Sequence, residues 1–285
     1  MDKSKIILVT GATGQQGGAV AAELLSHGFT IRIMTRHPEG EKAQKLAGLG
    51  AAVVKGDLDD SASLEKALQG IWGVFAVQNT WEAGVEMEEE QGKRFAQIAR
   101  KAGIHHFVYT SVASADRRTG IPHFENKFRI EETVRSLNFP SFTILRPVFF
   151  MENWTSPWFK PSIDQGNVAV ALKPSTVLQM VAVQDIGKYG LWAFQHHDKL
   201  NGDAIEFAGD GLSMIEIANA ISKAKGKPVG FFQVPIEEVR KFSADFAAMF
   251  EWFDNVGYSA NIAGMARESG IKPTRFAEWA TGAKW

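Results

Sequence analysis

Ile6-Ile-Leu-Val-Thr-Gly-Ala-Thr-Gly-Gln-Gln-Gly-Gly-Ala-Val-Ala-Ala-Glu-Leu-Leu25 is the stretch whose reading decides the fold. An apolar run, three glycines at spacing three and an amphipathic run follow one another, which is the pattern of a strand, a tight turn and a helix. Gly11 allows a sharp exit from the strand, Gly14 lets the backbone approach a pyrophosphate, and Gly17 lets the helix pack closely on the sheet. The free N–H groups and the positive dipole end of that helix then face the phosphates. Glycine triplets also occur in ordinary loops. Here the flanking strand and helix point to a dinucleotide-binding turn.

Outward from this turn, the chain keeps a βαβ rhythm. Gly28 stops the first helix, and Thr30-Ile-Arg-Ile-Met-Thr35 alternates as a second strand ending at Arg36. At this tip an acidic residue would accept from the 2′-hydroxyl of NAD, whereas an arginine pairs with the 2′-phosphate of NADP. Arg36 therefore favours NADP, unless it merely solvates the strand end. A charged helix at 41–49 leads to Ala51-Ala-Val-Val-Lys-Gly-Asp57, a third strand, and to a helix through Leu64, Ala67 and Leu68. Asp57 is placed either to accept from an adenine amino group or to cap that helix, a role that Asp59, Asp60 and Ser61 share. Ile71-Trp-Gly-Val-Phe-Ala-Val77 reads as a buried strand, and Gln78-Asn-Thr-Trp-Glu82 leaves it on the ligand side of the sheet.

A helix at 85–102 turns Phe95, Ile98, Ala99 and Ala102 inward. Its Glu86–Glu90 run precedes Lys93 and Arg94 at i, i+4 spacing, the pattern of a solvated charged face. His105 and His106 precede a fifth strand, Phe107-Val-Tyr-Thr-Ser111. Neighbouring histidines on a strand point to opposite faces and make a poor metal pair, so both are assigned to structure and no metal is expected.

The 285 residues, 45% of them hydrophobic, suffice for one large α/β unit or a nucleotide domain with a smaller appendage. A net charge of −1 offers no general attraction for nucleic acid or an anionic membrane. The chain has no cysteine, which excludes disulfides, thiolate metal sites and a catalytic thiol and is consistent with a reducing cytoplasm. Met1-Asp-Lys-Ser-Lys5 lacks the apolar region of a signal peptide, and no run of about 18 apolar residues occurs. A cytoplasmic protein is expected, with no membrane or direct nucleic-acid partner.

Several motifs taken together resemble a known family. Thr10–Gly17, Gly56-Asp57, Val108-Tyr-Thr-Ser111, His123-Phe-Glu-Asn-Lys127 and Leu145-Arg-Pro-Val-Phe-Phe-Met-Glu-Asn153 are similar to the NmrA-like branch of the atypical short-chain dehydrogenases. Val183-Gln-Asp-Ile-Gly187 and Leu212-Ser-Met-Ile-Glu-Ile-Ala-Asn219 extend the resemblance over essentially the whole chain. Asn79-Thr-Trp-Glu82 and Gln91-Gly-Lys93 most resemble its NADP-binding redox-sensor group. The resemblance implies an α/β, Rossmann-type doubly wound fold: a seven-stranded, mostly parallel sheet with helices on both faces, and a smaller interleaved α+β domain. The nucleotide domain is placed at 1–153 with a returning segment near 177–200, and the smaller domain at 154–176 and 201–285. NADP(H), preferred over NAD(H), is the implied cofactor. Its candidate contacts are Gly11, Thr13, Gly14, Gln15, Gln16, Gly17, Arg36, Asp57, Leu58, Gln78, Asn79, Lys127, Pro147 and Phe150.

One departure matters for activity. The wider family uses a Tyr-x-x-x-Lys pair, and this chain keeps Lys127 but has His123 at the tyrosine's place. None of its three tyrosines stands four residues before a lysine. Lys127 and His123 are the candidate catalytic pair; the plain alternative for Lys127 is a surface ion pair with Glu131. Trp81, Ser111, Phe149, Asn153, Trp154 and Trp158 are candidate walls of a pocket for a flat, apolar or aromatic ligand, although the aromatic residues among them would equally serve a core. Phe242 to Phe253 carries too many apolar residues for one helix face, implying a buried helix, a lid or a dimer contact. The expected function is an NADP(H)-binding redox sensor or regulator, with a regulatory protein as partner. The alternative is an NADPH-dependent reductase of a quinone or enone. Monomer and homodimer both stay open.

Overall fold

The structure is a computed structural model that describes residues 2–285. In chain order its first elements are β1 (Ile7–Val9), α1 (Gln15–Ser26), β2 (Ile31–Thr35), α2 (Glu41–Gly48), β3 (Ala52–Lys55), α3 (Ser61–Ala67), β4 (Gly73–Ala76), α4 (Thr80–Ala83) and α5 (Val85–Lys101). Then come β5 (His106–Thr110), α6 (Pro122–Ser136), β6 (Ser141–Pro147), β7 (Phe149–Phe150), α7 (Lys160–Asp164), β8 (Asn167–Val170), β9 (Val177–Val181) and α8 (Val183–Gln195). The chain closes with β10 (Ala204–Phe207), β11 (Asp210–Ser213), α9 (Met214–Lys225), β12 (Gly230–Gln233), α10 (Ile236–Phe242), α11 (Ala244–Asn255), α12 (Ile262–Ser269) and α13 (Phe276–Gly282). Two compact units result. One comprises the residues up to Ala115, His123–Arg146 and Ile186–Ile205; the other Asp116–Pro122, Pro147–Asp185 and Glu206–Trp285.

The first unit is the Rossmann-type layer. Its seven strands lie in the order β10-β6-β5-β4-β1-β2-β3, and every pairing from β3 across to β6 is parallel. A parallel sheet is covered on both faces, so its strands read as continuous apolar runs: all of β1, β4 and β5 is buried. Alternation still sorts the side chains. Leu8, Val74, Ala76, Phe107 and Tyr109 share one core with Leu64 of α3, Phe95, Ala96 and Ala99 of α5, and Ile130 and Val134 of α6. On the opposite face α1 and α8 meet closely: a Cβ on Gly187 or Gly190 would fall 2.8 Å from the Ala19 carbonyl oxygen or 2.6 Å from Val20. Strand order reverses between β1 and β4, which opens a crevice at their carboxyl ends. Thr10 stitches that crevice, its Oγ1 donating to the Val77 carbonyl at 3.0 Å and accepting from the Val77 N–H at 2.8 Å.

His106, assigned to structure from sequence, is fully buried with Nδ1 2.9 Å from Ser141 Oγ, and its ring meets Phe194 edge-on. Burial, together with the nearby His197 and His105, pushes its pKa down to about 3.

The second unit contains a three-stranded sheet, β11-β9-β7, and the parallel pair β12-β8. Buried Asp185 ties it together by accepting from the Thr274 N–H at 2.7 Å and the Thr274 hydroxyl at 3.0 Å. The Phe-rich segment is two helices, not one. Ser243 breaks it and caps α11, accepting from the Phe246 N–H at 3.2 Å, so Phe242 stays 67% exposed on α10 while Met249, Phe250, Trp252 and Phe253 of α11 are buried. That break resolves the excess of apolar residues over one helix face. No helix among the described residues is long and apolar enough to cross a membrane.

Candidate functional site

The turn after β1 is shaped by what its glycines lack. Gly11 sits at φ +57°, where side chains are strained, and a Cβ there would lie 2.6 Å from Val77 Cγ1. A Cβ on Gly17 would lie 2.5 Å from the carbonyl oxygens of both Thr10 and Gly11, so only glycine lets α1 start this close to the strand. Gly14 is the N-cap of α1 and supplies no side-chain cap, leaving the first-turn N–H groups to whatever anion approaches. Thr13 is half-buried and Gln15 exposed, while Gln16 turns inward and accepts from Thr110 Oγ1 at 2.8 Å.

Arg36 stands exposed at the tip of β2, where its guanidinium pairs with Glu82 of α4. The hydrogen bond to Glu82 raises the arginine's pKa further, with Asp57 and Asp59 contributing at longer range. Asp57 does not cap α3; that role falls to Asp60, which accepts from the Ala62 and Ser63 N–H groups. Asp57 instead accepts from the Asp59 N–H at 3.1 Å, and the Leu58 carbonyl accepts from Arg94 at 2.9 Å.

At the end of β4, Gln78 is buried, and neither of its side-chain polar atoms has a partner among the described residues. Ser111, just past β5, is in the same state: its N–H donates to Leu145 at 2.7 Å, and its buried hydroxyl has no partner. Asn79 caps α4, accepting from the Trp81 N–H at 3.2 Å. The indole of Trp81, 58% exposed, then lies 5.1 Å from the ring of buried His123 on α6.

Lys127, one turn after His123, does not pair with Glu131. Glu131 is buried in a two-pronged bridge to Arg146, at 2.9 and 2.7 Å. The Lys127 ammonium is held by Glu88 of α5, a carboxylate with no exposed surface. Glu88 also accepts from Thr80 Oγ1 and, at 2.9 Å, from Asn126 Nδ2, which donates a second bond to the Val85 carbonyl at 2.7 Å. Burial alone would raise the Glu88 pKa; the lysine and the two hydrogen bonds outweigh it and hold the group below its ordinary value. Gly92 lets α5 and α6 lie close here, because a Cβ on it would fall 2.5 Å from Ile130 Cδ1 and 2.9 Å from Ile130 Cγ1.

The charge run at Glu86–Glu90 is therefore not a uniformly solvated face. Glu89 does pair with Lys93 at 2.6 Å, but Glu88 turns inward. The signal was periodicity: Glu88 shares a helix face with the buried Gln91, Gly92, Phe95 and Ala99. Glu82, the partner of Arg36, lies 46 residues away in sequence, and no local pattern pairs them.

A family model, the NmrA-like family, matches residues 3–280. The chain belongs to the NmrA-like family. An NmrA-like family domain-containing protein of Dictyostelium discoideum is 30% identical over 269 residues, covering 89% of each chain. An NmrA-like family domain-containing oxidoreductase of Malbranchea aurantiaca is 34% identical over 197 residues, which span 61% of this chain and 58% of that protein. Among solved structures, NmrA, a negative transcriptional regulator, in complex with NADP superposes with a TM-score of 0.80 at 21% identity, covering 98% of this chain and 95% of that one. That likeness establishes a shared fold.

The remaining candidate residues of this NmrA-like chain lie in the second unit. Pro147 and Phe149 are buried; Phe150 and Asn153 are half-buried. Trp154 is fully buried, its Nε1 donating to Met180 Sδ at 3.2 Å, and its ring meets those of buried Phe149 and half-buried Phe159. Trp158 is 61% exposed and meets the ring of Phe242 edge-on at 5.5 Å.

The first unit's residues fit a bound dinucleotide in two respects: a backbone cradle that a Cβ would fill, and buried polar atoms of Gln78 and Ser111 that lack a partner. Among the described residues no group of three histidine or acidic side chains is arranged to hold a metal ion.

Proposed function

We propose that this NmrA-like protein binds NADP(H) and serves as a regulator whose state follows the cofactor. The Gly11–Gly17 turn would take the pyrophosphate and Arg36 the 2′-phosphate, while Gln78, Ser111 and Lys127 supply polar groups toward the nicotinamide end. When bound, the nicotinamide ring donates or accepts hydride. The chain's own groups do not supply dehydrogenation by the tyrosine route. His123 stands at the tyrosine's place, its ring 5.1 Å from that of Trp81, and Lys127, paired with Glu88, has no tyrosine four residues before it to activate. Tyr109 cannot substitute, because its hydroxyl is buried and burial drives its pKa well up. The observation that carries the reading is this combination of an intact phosphate cradle with an acid–base position that holds no tyrosine. The regulatory name of the NADP-bound structural relative supports it.

A second reading, reduction of a flat conjugated acceptor such as a quinone or enone, is favoured by the oxidoreductase name of the Malbranchea relative. Such acceptors take hydride without a strong acid, and His123 or water can deliver the proton. Monitoring NADPH absorbance with a panel of quinones and enones, alongside a binding titration, separates the two. Saturable binding with no turnover is the expected result. Turnover above the uncatalysed rate would establish the reductase, and failure to bind would remove both readings.

A further inference from the structure

Building on the dinucleotide reading above, we infer that Glu82 is the residue that sets how strongly this chain discriminates between 2′-phosphorylated and unphosphorylated dinucleotides. Arg36 is placed by its strand to meet the 2′ position, yet its guanidinium is already engaged by the Glu82 carboxylate. The surroundings are acidic: Asp57 and Asp59 also act on Arg36, and Asp59 is paired with Arg94 at 3.1 Å.

Glu82 is presented by a short element fixed at three other points. Asn79 caps α4 through the Trp81 N–H, Thr80 bonds to buried Glu88, and Trp81 lies on His123. A carboxylate held there acts oppositely on the two ligands. A 2′-phosphate carries about −1.5 to −2 charges and seeks the same planar guanidinium, so it must displace Glu82 and then sit beside it. A ribose 2′-hydroxyl is a donor that a carboxylate accepts. Arg36 therefore recruits the phosphate while Glu82 offsets that preference. Both side chains are about half exposed, 51% and 52%, so solvent moderates the competition without abolishing it.

Calorimetric titration with NADPH and with NADH of the wild type, Glu82→Gln, Arg36→Ala, the double variant and Glu86→Gln tests this. Glu86 is an exposed carboxylate on the next helix and reports the effect of removing any one negative charge. Glu82→Gln is expected to tighten NADPH by up to about fivefold and, because the amide oxygen still accepts from the ribose hydroxyl, to weaken NADH by no more than about twofold. The gain should vanish in the Arg36→Ala background and be absent in Glu86→Gln. Saturable NADPH binding by the wild type with an NADPH-to-NADH ratio unchanged in Glu82→Gln would overturn the inference and leave the cofactor reading standing, as would an equal gain from Glu86→Gln. No saturable binding of either dinucleotide by any form would overturn the cofactor reading and this inference with it.

Discussion

At the end of β1 the groups poised for a ligand are main-chain N–H groups, positioned by glycines whose missing Cβ atoms leave the necessary space. Around Glu88 they are side chains from three helices, α4, α5 and α6, and its two partners on α6, Asn126 and Lys127, lie 38 and 39 residues away in sequence. The first construction tolerates most side-chain changes and no added Cβ at Gly11 or Gly17. The second depends on charge, and does not tolerate the loss of the cation that faces Glu88. A dinucleotide site built this way would have an anion end fixed by geometry and a far end adjustable by electrostatics.

The largest expected effect lies in the side-chain region. Lys127→Ala leaves the fully buried Glu88 carboxylate without its cation, and breaking such a pair costs about 3–5 kcal/mol. The pH dependence identifies the cause. In the wild type the Glu88 pKa is lowered on folding, so its contribution is present above the ordinary carboxylate value and lost below it, as the pH falls through the lowered value. In the variant, burial is opposed only by the hydrogen bonds from Thr80 and Asn126, and the pKa is expected to rise instead. Protonation then relieves the penalty, and the stability deficit should shrink as the pH falls from 7 toward about 4. Urea unfolding of both proteins across this range measures it; a deficit independent of pH would show that Glu88 is not the group left stranded.

The smallest expected effect lies in the turn. Gln15→Ala removes an exposed side chain from the cradle while leaving the N–H groups in place, and stability should change by less than about 0.5 kcal/mol with NADPH affinity nearly intact. A large loss of affinity on this substitution would mean that the turn is not a backbone site, and the contrast between the two regions would fail.

The same contrast explains how much was legible in the sequence. The Gly11–Gly17 turn, the β/α alternation and the position of Arg36 are local patterns, and the seven-stranded, mostly parallel sheet follows from the family resemblance, whereas the order of its strands comes from the structure. Glu88 was partly legible, since it falls on the apolar face of its helix, but a run of five residues with four glutamates at 86–90 conceals which one turns inward. The pairings Arg36–Glu82 and Lys127–Glu88 span 46 and 39 residues and depend on how α4, α5 and α6 pack, for which no local pattern exists. The break at Ser243 was missed because apolar composition was weighed across it, although a serine three residues before Phe246 is an N-cap signal.

The most direct measurement titrates NADPH by calorimetry into the wild type and Gly17→Ala side by side, with circular dichroism confirming that both are folded. The added methyl meets two carbonyl oxygens at 2.5 Å and must displace the turn. The expected result is saturable, one-to-one binding by the wild type and a loss of at least about a hundredfold in the folded variant. Equal affinity in the two, or none in the wild type, would contradict cofactor binding at this turn.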